Sequence, residues 1–124
     1  ADFNKAIQIN PHFAAAYTNR GTEKVRLEDY QGAIIDFTKA IELDPLDTSV
    51  YSLRGLLKSV LRDYQGAIAD FNKVLLIDST NSLIYYERGH ARGMSGDHQG
   101  ACADMRLAES FSYKLAAKIK EMCN

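Results

Sequence analysis

Apolar positions along this chain fall into two alternating helical stripes, and the pair of stripes returns every 34 residues: Gly21, Gly55 and Gly89 mark the step without insertion. The pattern predicts a first helix over Ala14–Leu27, Thr48–Leu61 and Ser82–Ser95 in the three units, and a second over Tyr30–Leu43, Tyr64–Ile77 and His98–Glu109. On the second helices Ala33, Phe37 and Ala40 recur as Ala67, Phe71 and Val74 and as Ala101, Met105 and Ala108. Spacings of four and three residues place each set on one face. Ile34 and Ile41, with Ile68 and Leu75, form an adjoining stripe expected to meet the next unit. The polar positions punctuate the same scheme. Asp29, Asp63 and Asp97 stand where an N-cap carboxylate accepts from first-turn N–H groups, Asp47 and Asn81 offer polar starts for first helices, and Pro11 and Pro45 stop the helices before them. Each glycine of the step lies mid-helix, where it costs about 1 kcal/mol against Ala. Its return at one register implies close helix approach, with Ala33, Ala67 and Ala101 as the expected small surface opposite.

A fixed period of this length implies stacked supersecondary units. The set Tyr17, Arg20, Gly21, Tyr30, Gln31, Gly32, Ala33, Asp36, Phe37 recurs in full as Tyr51, Arg54, Gly55, Tyr64, Gln65, Gly66, Ala67, Asp70, Phe71. It returns eroded as Tyr85, Arg88, Gly89, His98, Gln99, Gly100, Ala101, Asp104, Met105. The glycine, alanine, phenylalanine and proline markers resemble the tetratricopeptide repeat family over residues 1 to about 109. The resemblance implies an all-α, right-handed solenoid of antiparallel helix pairs. Three departures stand out: Tyr17, Tyr51 and Tyr85 replace the family's Trp, Arg20, Arg54 and Arg88 replace its Leu, and Lys24, Lys58 and Arg92 replace its second aromatic.

Those departures imply a polar feature inside the stack. Every Arg before a Gly is matched by an Asp three residues after the packing Ala, at Asp36, Asp70 and Asp104, and Asp2 holds the same place in the leading fragment. A part-buried Arg needs such a partner. A ladder of Arg–Asp pairs is therefore expected, while the repeat leaves open whether Arg54 meets Asp36 or Asp70.

The expected organisation is one domain over 1–124. Residues 1–13 hold the second helix of a truncated repeat and a linker, 14–47 and 48–81 are full repeats, 82–112 is a degenerate last repeat, and 113–124 is a capping helix. The leading fragment exposes the face around Phe3 and Ala6, which makes homo-oligomerisation through that end an expectation. In the cap, Leu115, Ile119 and Met122 share one apolar face. If the cap runs antiparallel to the preceding helix, Cys102 and Cys123 fall at similar heights, which allows a bridge, although two free thiols are the favoured reading.

Bulk composition narrows the function. The 124 residues carry a net charge of −1 with Lys and Arg scattered, so no basic stripe recruits nucleic acid. No apolar run reaches the length of a membrane span. His12, His90 and His98 are dispersed, and no His-x-x-x-His or Cys-x-x-Cys spacing offers a metal site. The glycines belong to helix packing and not to a phosphate-binding turn. Neither a catalytic set nor a cofactor site is read, and the chain is expected not to be an enzyme.

What remains is recognition of a protein or peptide partner, whose identity the sequence leaves open. The resemblance implies a concave groove lined by first helices. On their face away from the Arg and Tyr stripes lie Asn19, Thr22 and Arg26, then Ser52, Leu53, Leu56 and Val60, then Tyr86, Glu87 and His90. Leu53, Leu56 and Val60 read as an apolar floor, or as residues tucked against neighbouring units. Two versions of the groove known in the family are not matched. The clamp for a terminal carboxylate needs Lys, Asn and Arg where Thr18, Thr22, Leu53, Leu83 and Glu87 stand, and the asparagine ladder is met only at Asn19. The expected function is a non-enzymatic interaction scaffold for an apolar or amphipathic peptide or helix. A self-assembly module or an accessory domain of a larger protein is the alternative.

Overall fold

The structure, a computed structural model, describes residues 13–111. These form six helices: α1 (Ala14–Arg26), α2 (Tyr30–Leu43), α3 (Thr48–Val60), α4 (Tyr64–Ile77), α5 (Ser82–Met94) and α6 (His98–Phe111). Among the described residues there is no strand. Each helix packs on its predecessor, and α3 also meets α5, which gives an all-α helical-repeat solenoid. The expected truncated helix, the capping helix, Asp2, Phe3, Ala6, Pro11, His12 and Cys123 lie outside the described residues.

Local chemistry explains the helix boundaries. The Asp29, Asp63 and Asp97 side chains accept from the backbone N–H of Gly32, Gly66 and Gly100 at 3.0, 3.0 and 2.9 Å. A Cβ on any of these glycines would stand 2.1–2.3 Å from a carboxylate oxygen. The recurrent Gln-Gly-Ala is thus half of a cap: the glycine makes room for the aspartate three residues earlier. Asp47 accepts from Ser49 N–H, and Asn81 from Ile84 N–H. Within each unit the turn between the helices places Glu28, Arg62 or Gly96 at φ 62°, 66° and 99°. The next N–H then reaches back to Lys24, Lys58 or Arg92 C=O at 2.7–2.8 Å, a Schellman-type closure in which only the third unit uses glycine.

The core is built on the second-helix stripe, with Val50, Tyr51, Leu57, Ile84 and Ala91 of the first helices packed into it. Ala33, Phe37, Ala40, Ala67, Phe71, Val74, Met105 and Ala108 are all at most 2% exposed. Ile41 and Leu75 are buried beside it, with Ile34 and Ile68 packed on its margin. What faces the mid-helix glycines differs from the expected alanines. A Cβ at Gly21 would lie 2.7 Å from Phe37 Cε1, and one at Gly55 2.7 Å from Phe71 Cε1. The aromatic ring, not the alanine, demands the glycine in these two units.

An ionic network runs beside this core. Arg20 Nε and Nη2 donate to the two oxygens of Asp36 at 2.8 and 2.5 Å. Arg54 does so to Asp70 at 2.9 and 2.7 Å, and Arg88 to Asp104 at 2.9 and 2.7 Å. The pairing is within the unit, and each carboxylate is almost fully buried. A second cation completes each site: Lys24 on Asp36 at 3.1 Å, Lys58 on Asp70 at 3.5 Å and Arg92 on Asp104 at 2.8 Å. The guanidinium carbons sit 5.5–5.9 Å from the ring centres of Tyr17, Tyr51 and Tyr85, within cation–π range. The remaining guanidinium nitrogen links units: Arg54 Nη1 donates to Thr38 Oγ1 at 3.1 Å and Arg88 Nη1 to Asn72 Oδ1 at 2.8 Å. The three departures from the family pattern are therefore one device.

Burial alone would raise the Asp36 pKa, but hydrogen bonds from Arg20 and Lys24 outweigh it and hold the carboxyl below its ordinary value. A carboxyl lowered in the folded state adds stability that is fully present above its unfolded pKa of about 4 and is lost as pH falls through the folded value. Urea unfolding at pH 6 and pH 3 is expected to show a steep acid loss. Asp36→Asn reduces that slope; an unchanged slope would mean that Asp36 does not bind its proton more weakly in the folded protein.

Candidate peptide groove

The candidate groove residues come from α1, α3 and α5, and the 34-residue step sets them at matching registers. Helical hydroxyls on this face are turned inward to backbone: Thr18 donates to Ala14 C=O at 3.2 Å, Thr22 to Thr18 C=O at 2.9 Å and Ser52 to Thr48 C=O at 3.0 Å. Ser59 Oγ is buried with no hydrogen-bond partner. Arg26 is held by Glu23 in an i,i+3 ion pair, so its charge is partly spent within its own helix. Asn19 and His90 are exposed.

The apolar positions divide. Leu53 is 36% exposed, Val60 62% and Leu83 58%. Leu56 is half-buried and packs on the core, so at that position the tucked arrangement holds. Tyr86 is half-buried on Met105 and Ala108. Beside it Glu87 is half-buried, and burial pushes its carboxyl pKa up, opposed only by the nearby His90.

Two clefts flank this surface. One, of about 170 Å³, lies between the first two units and is bordered by Ala15, Thr18, Asn19, Asp44, Asp47 and Val50. Of its two carboxylates, Asp44 and Asp47, only Asp47 was singled out from the sequence, as a helix start. The visible signal was their recurrence, 34 residues on, as Asp78 and Asn81. The other, of about 210 Å³, is almost wholly apolar, with Gly89, Gly93, Met94, His98, Cys102 and Met105 in its wall. Cys102 is buried with a free thiol, 3.8 Å from His98 Nε2. Cys123, the other half of the bridge considered from the sequence, lies outside the described residues.

Among the described residues no group of three or more His, Cys, Asp or Glu side chains could hold a metal ion, and no helix is long and apolar enough to cross a membrane. His90 and Glu87 lie three residues apart on one helix without a nucleophile between them.

The tetratricopeptide repeat family model matches residues 14–45. No curated protein matches the chain. Among solved structures, the Arabidopsis OM64 TPR domain shares 25% identity with a TM-score of 0.80, over 87% of this chain and 91% of that one. The first TPR of Spaghetti (RPAP3), bound to the HSP90 peptide SRMEEVD, is 19% identical with a TM-score of 0.79, over 88% and 89%. MamA from Desulfovibrio magneticus RS-1 is 18% identical with a TM-score of 0.87, over 97% of this chain and 70% of that one.

Proposed function

We propose that this chain, which belongs to the tetratricopeptide repeat proteins, is a non-enzymatic scaffold that holds a peptide or helix of a partner protein in its concave groove. The fold class supports the general reading, since domains of this kind serve protein interaction and one solved example carries a peptide. The observation that carries the finer reading is the apolar strip of Leu53, Val60 and Leu83, exposed on successive first helices, where the Thr22 and Ser52 hydroxyls are turned to their own backbone. Such a strip gains by covering with apolar side chains, at about 25 cal/mol per Å² of buried surface.

The peptide SRMEEVD seen in the Spaghetti domain is rich in carboxylates. Here Leu53 and Glu87 occupy groove registers where a carboxylate-binding site would need cations or amides. An acidic tail is therefore not the expected ligand.

The test is affinity capture with the wild-type chain, Leu53→Glu, and the control Leu76→Glu. Leu53 is preferable to Leu56, whose core contact would confuse binding with folding. Leu76 is 78% exposed on a second helix. Leu53→Glu is expected to lose the specific partners and Leu76→Glu to keep them. Retention by both variants, or equal loss, removes the groove from the account.

A further inference from the structure

We propose that the segment bound in this groove is basic as well as apolar: it presents a Lys or Arg side chain to the Glu87 carboxylate while its apolar residues cover Leu53 and Leu83. This rests on the groove reading above and adds the charge of the occupant.

Glu87 is half-buried on α5, one turn after exposed Leu83 and three residues before exposed His90. Among the described residues no side chain hydrogen-bonds to it, and the one charge that acts on it is the nearby His90. The contrast with the three buried aspartates is direct, because Asp36, Asp70 and Asp104 each hold two cations. Desolvation already disfavours the charged form of Glu87. Covering the groove with a wholly apolar segment would deepen that penalty and leave the carboxylate sealed without a donor. An ammonium or guanidinium brings charge and N–H donors together.

Among the described residues, five cations of the first helices are engaged elsewhere. Arg26 is engaged by Glu23, and Arg54, Lys58, Arg88 and Arg92 are committed to the ladder. In the first unit the groove-face residue Asn19 lines the same cleft as Asp44 and Asp47. Both ends of the apolar strip thus carry negative charge, and an acidic segment would be repelled along its length. A basic amphipathic segment satisfies floor and ends together.

The test uses the full chain and three labelled short amphipathic peptides that differ only in their polar residue: Leu/Lys, Leu/Gln and Leu/Glu. Fluorescence anisotropy is expected to rank Leu/Lys tightest and Leu/Glu weakest. Glu87→Gln weakens the Leu/Lys peptide about tenfold, the size of one charge-assisted hydrogen bond, and leaves Leu/Gln unchanged. Its thermal midpoint is not lowered, because among the described residues no hydrogen bond or salt bridge is made by the carboxylate removed. Leu53→Ser weakens both Leu/Lys and Leu/Gln. Glu42→Gln, an exposed carboxylate on α2, changes neither. If Glu42→Gln weakens Leu/Lys as much as Glu87→Gln does, the attraction is to overall charge and the proposal fails. If Leu53→Ser acts but Glu87→Gln does not, the groove stands and its charge assignment is wrong. Indifference of every probe to Leu53→Ser overturns the groove reading itself.

Discussion

Asp70→Ala is expected to lower the free energy of unfolding by about 3–5 kcal/mol, the range for removing one partner of a buried ion pair. Asp70 is 3% exposed and receives both Arg54 and Lys58. Without it, two cations whose side chains are only 16% and 21% exposed lose their counterion. Arg54 keeps Thr38 as a neutral acceptor and Tyr51 as a π face, which offsets part of the loss. Arg54→Met is expected to cost less, because Lys58 still neutralises Asp70 and a Met stem retains packing beside Tyr51. The double variant Arg54→Met with Asp70→Leu should recover much of the loss, since well-packed apolar replacements of buried ions are often neutral. Urea unfolding of the wild type, Arg54→Met, Asp70→Leu and the double variant forms a double-mutant cycle. Additive losses would mean that the pair is not coupled and that the ladder has no energetic role.

The same network shows where sequence reasoning was strong and where it stopped. Helix starts at Tyr30, Thr48, Tyr64, Ser82 and His98 were legible because a capping Asp or Asn precedes each one. The presence of Arg–Asp pairs was legible as co-recurrence. Their register was not: with a strict repeat, Arg54 stands at a constant offset from both Asp36 and Asp70, so periodicity cannot separate the two. Only the close crossing at Gly55 and Phe71 puts residues 54 and 70 side by side. Lys24 and Lys58 looked like lost aromatics because their partner is on another helix. The groove was partly legible. Helical spacing gave the face, but the difference between exposed Leu53 and half-buried Leu56 depends on how closely adjacent first helices pack. Asp44 was missed because cleft-lining by a loop residue leaves no helical period.

Phe71→Ala should be comparably severe, at about 3–5 kcal/mol, because a fully buried ring is removed and the surroundings relax only in part. The ring also explains the glycine opposite. Gly55→Ala gains about 1 kcal/mol of helix propensity. Its Cβ, however, would stand 2.7 Å from Phe71 Cε1 and 3.2 Å from Asp70 Cβ. A ring at 0% exposure cannot swing away, so a net loss of about 1–3 kcal/mol is expected, in the range of overpacked cores. The third unit contains a natural comparison. At Gly89 an ideal Cβ would lie 3.0 Å from Asp104 Cβ, 3.1 Å from the Ala101 carbonyl oxygen and 3.3 Å from the terminal carbon of Met105, so the flexible Met gives no contact as short as the Phe71 ring does at Gly55. Gly55→Ala made together with Phe71→Met should therefore cost less than Gly55→Ala alone, a coupling visible in urea midpoints. If the penalty is the same in both backgrounds, the ring is not the obstacle, and the Asp70 Cβ sets the limit on helix approach.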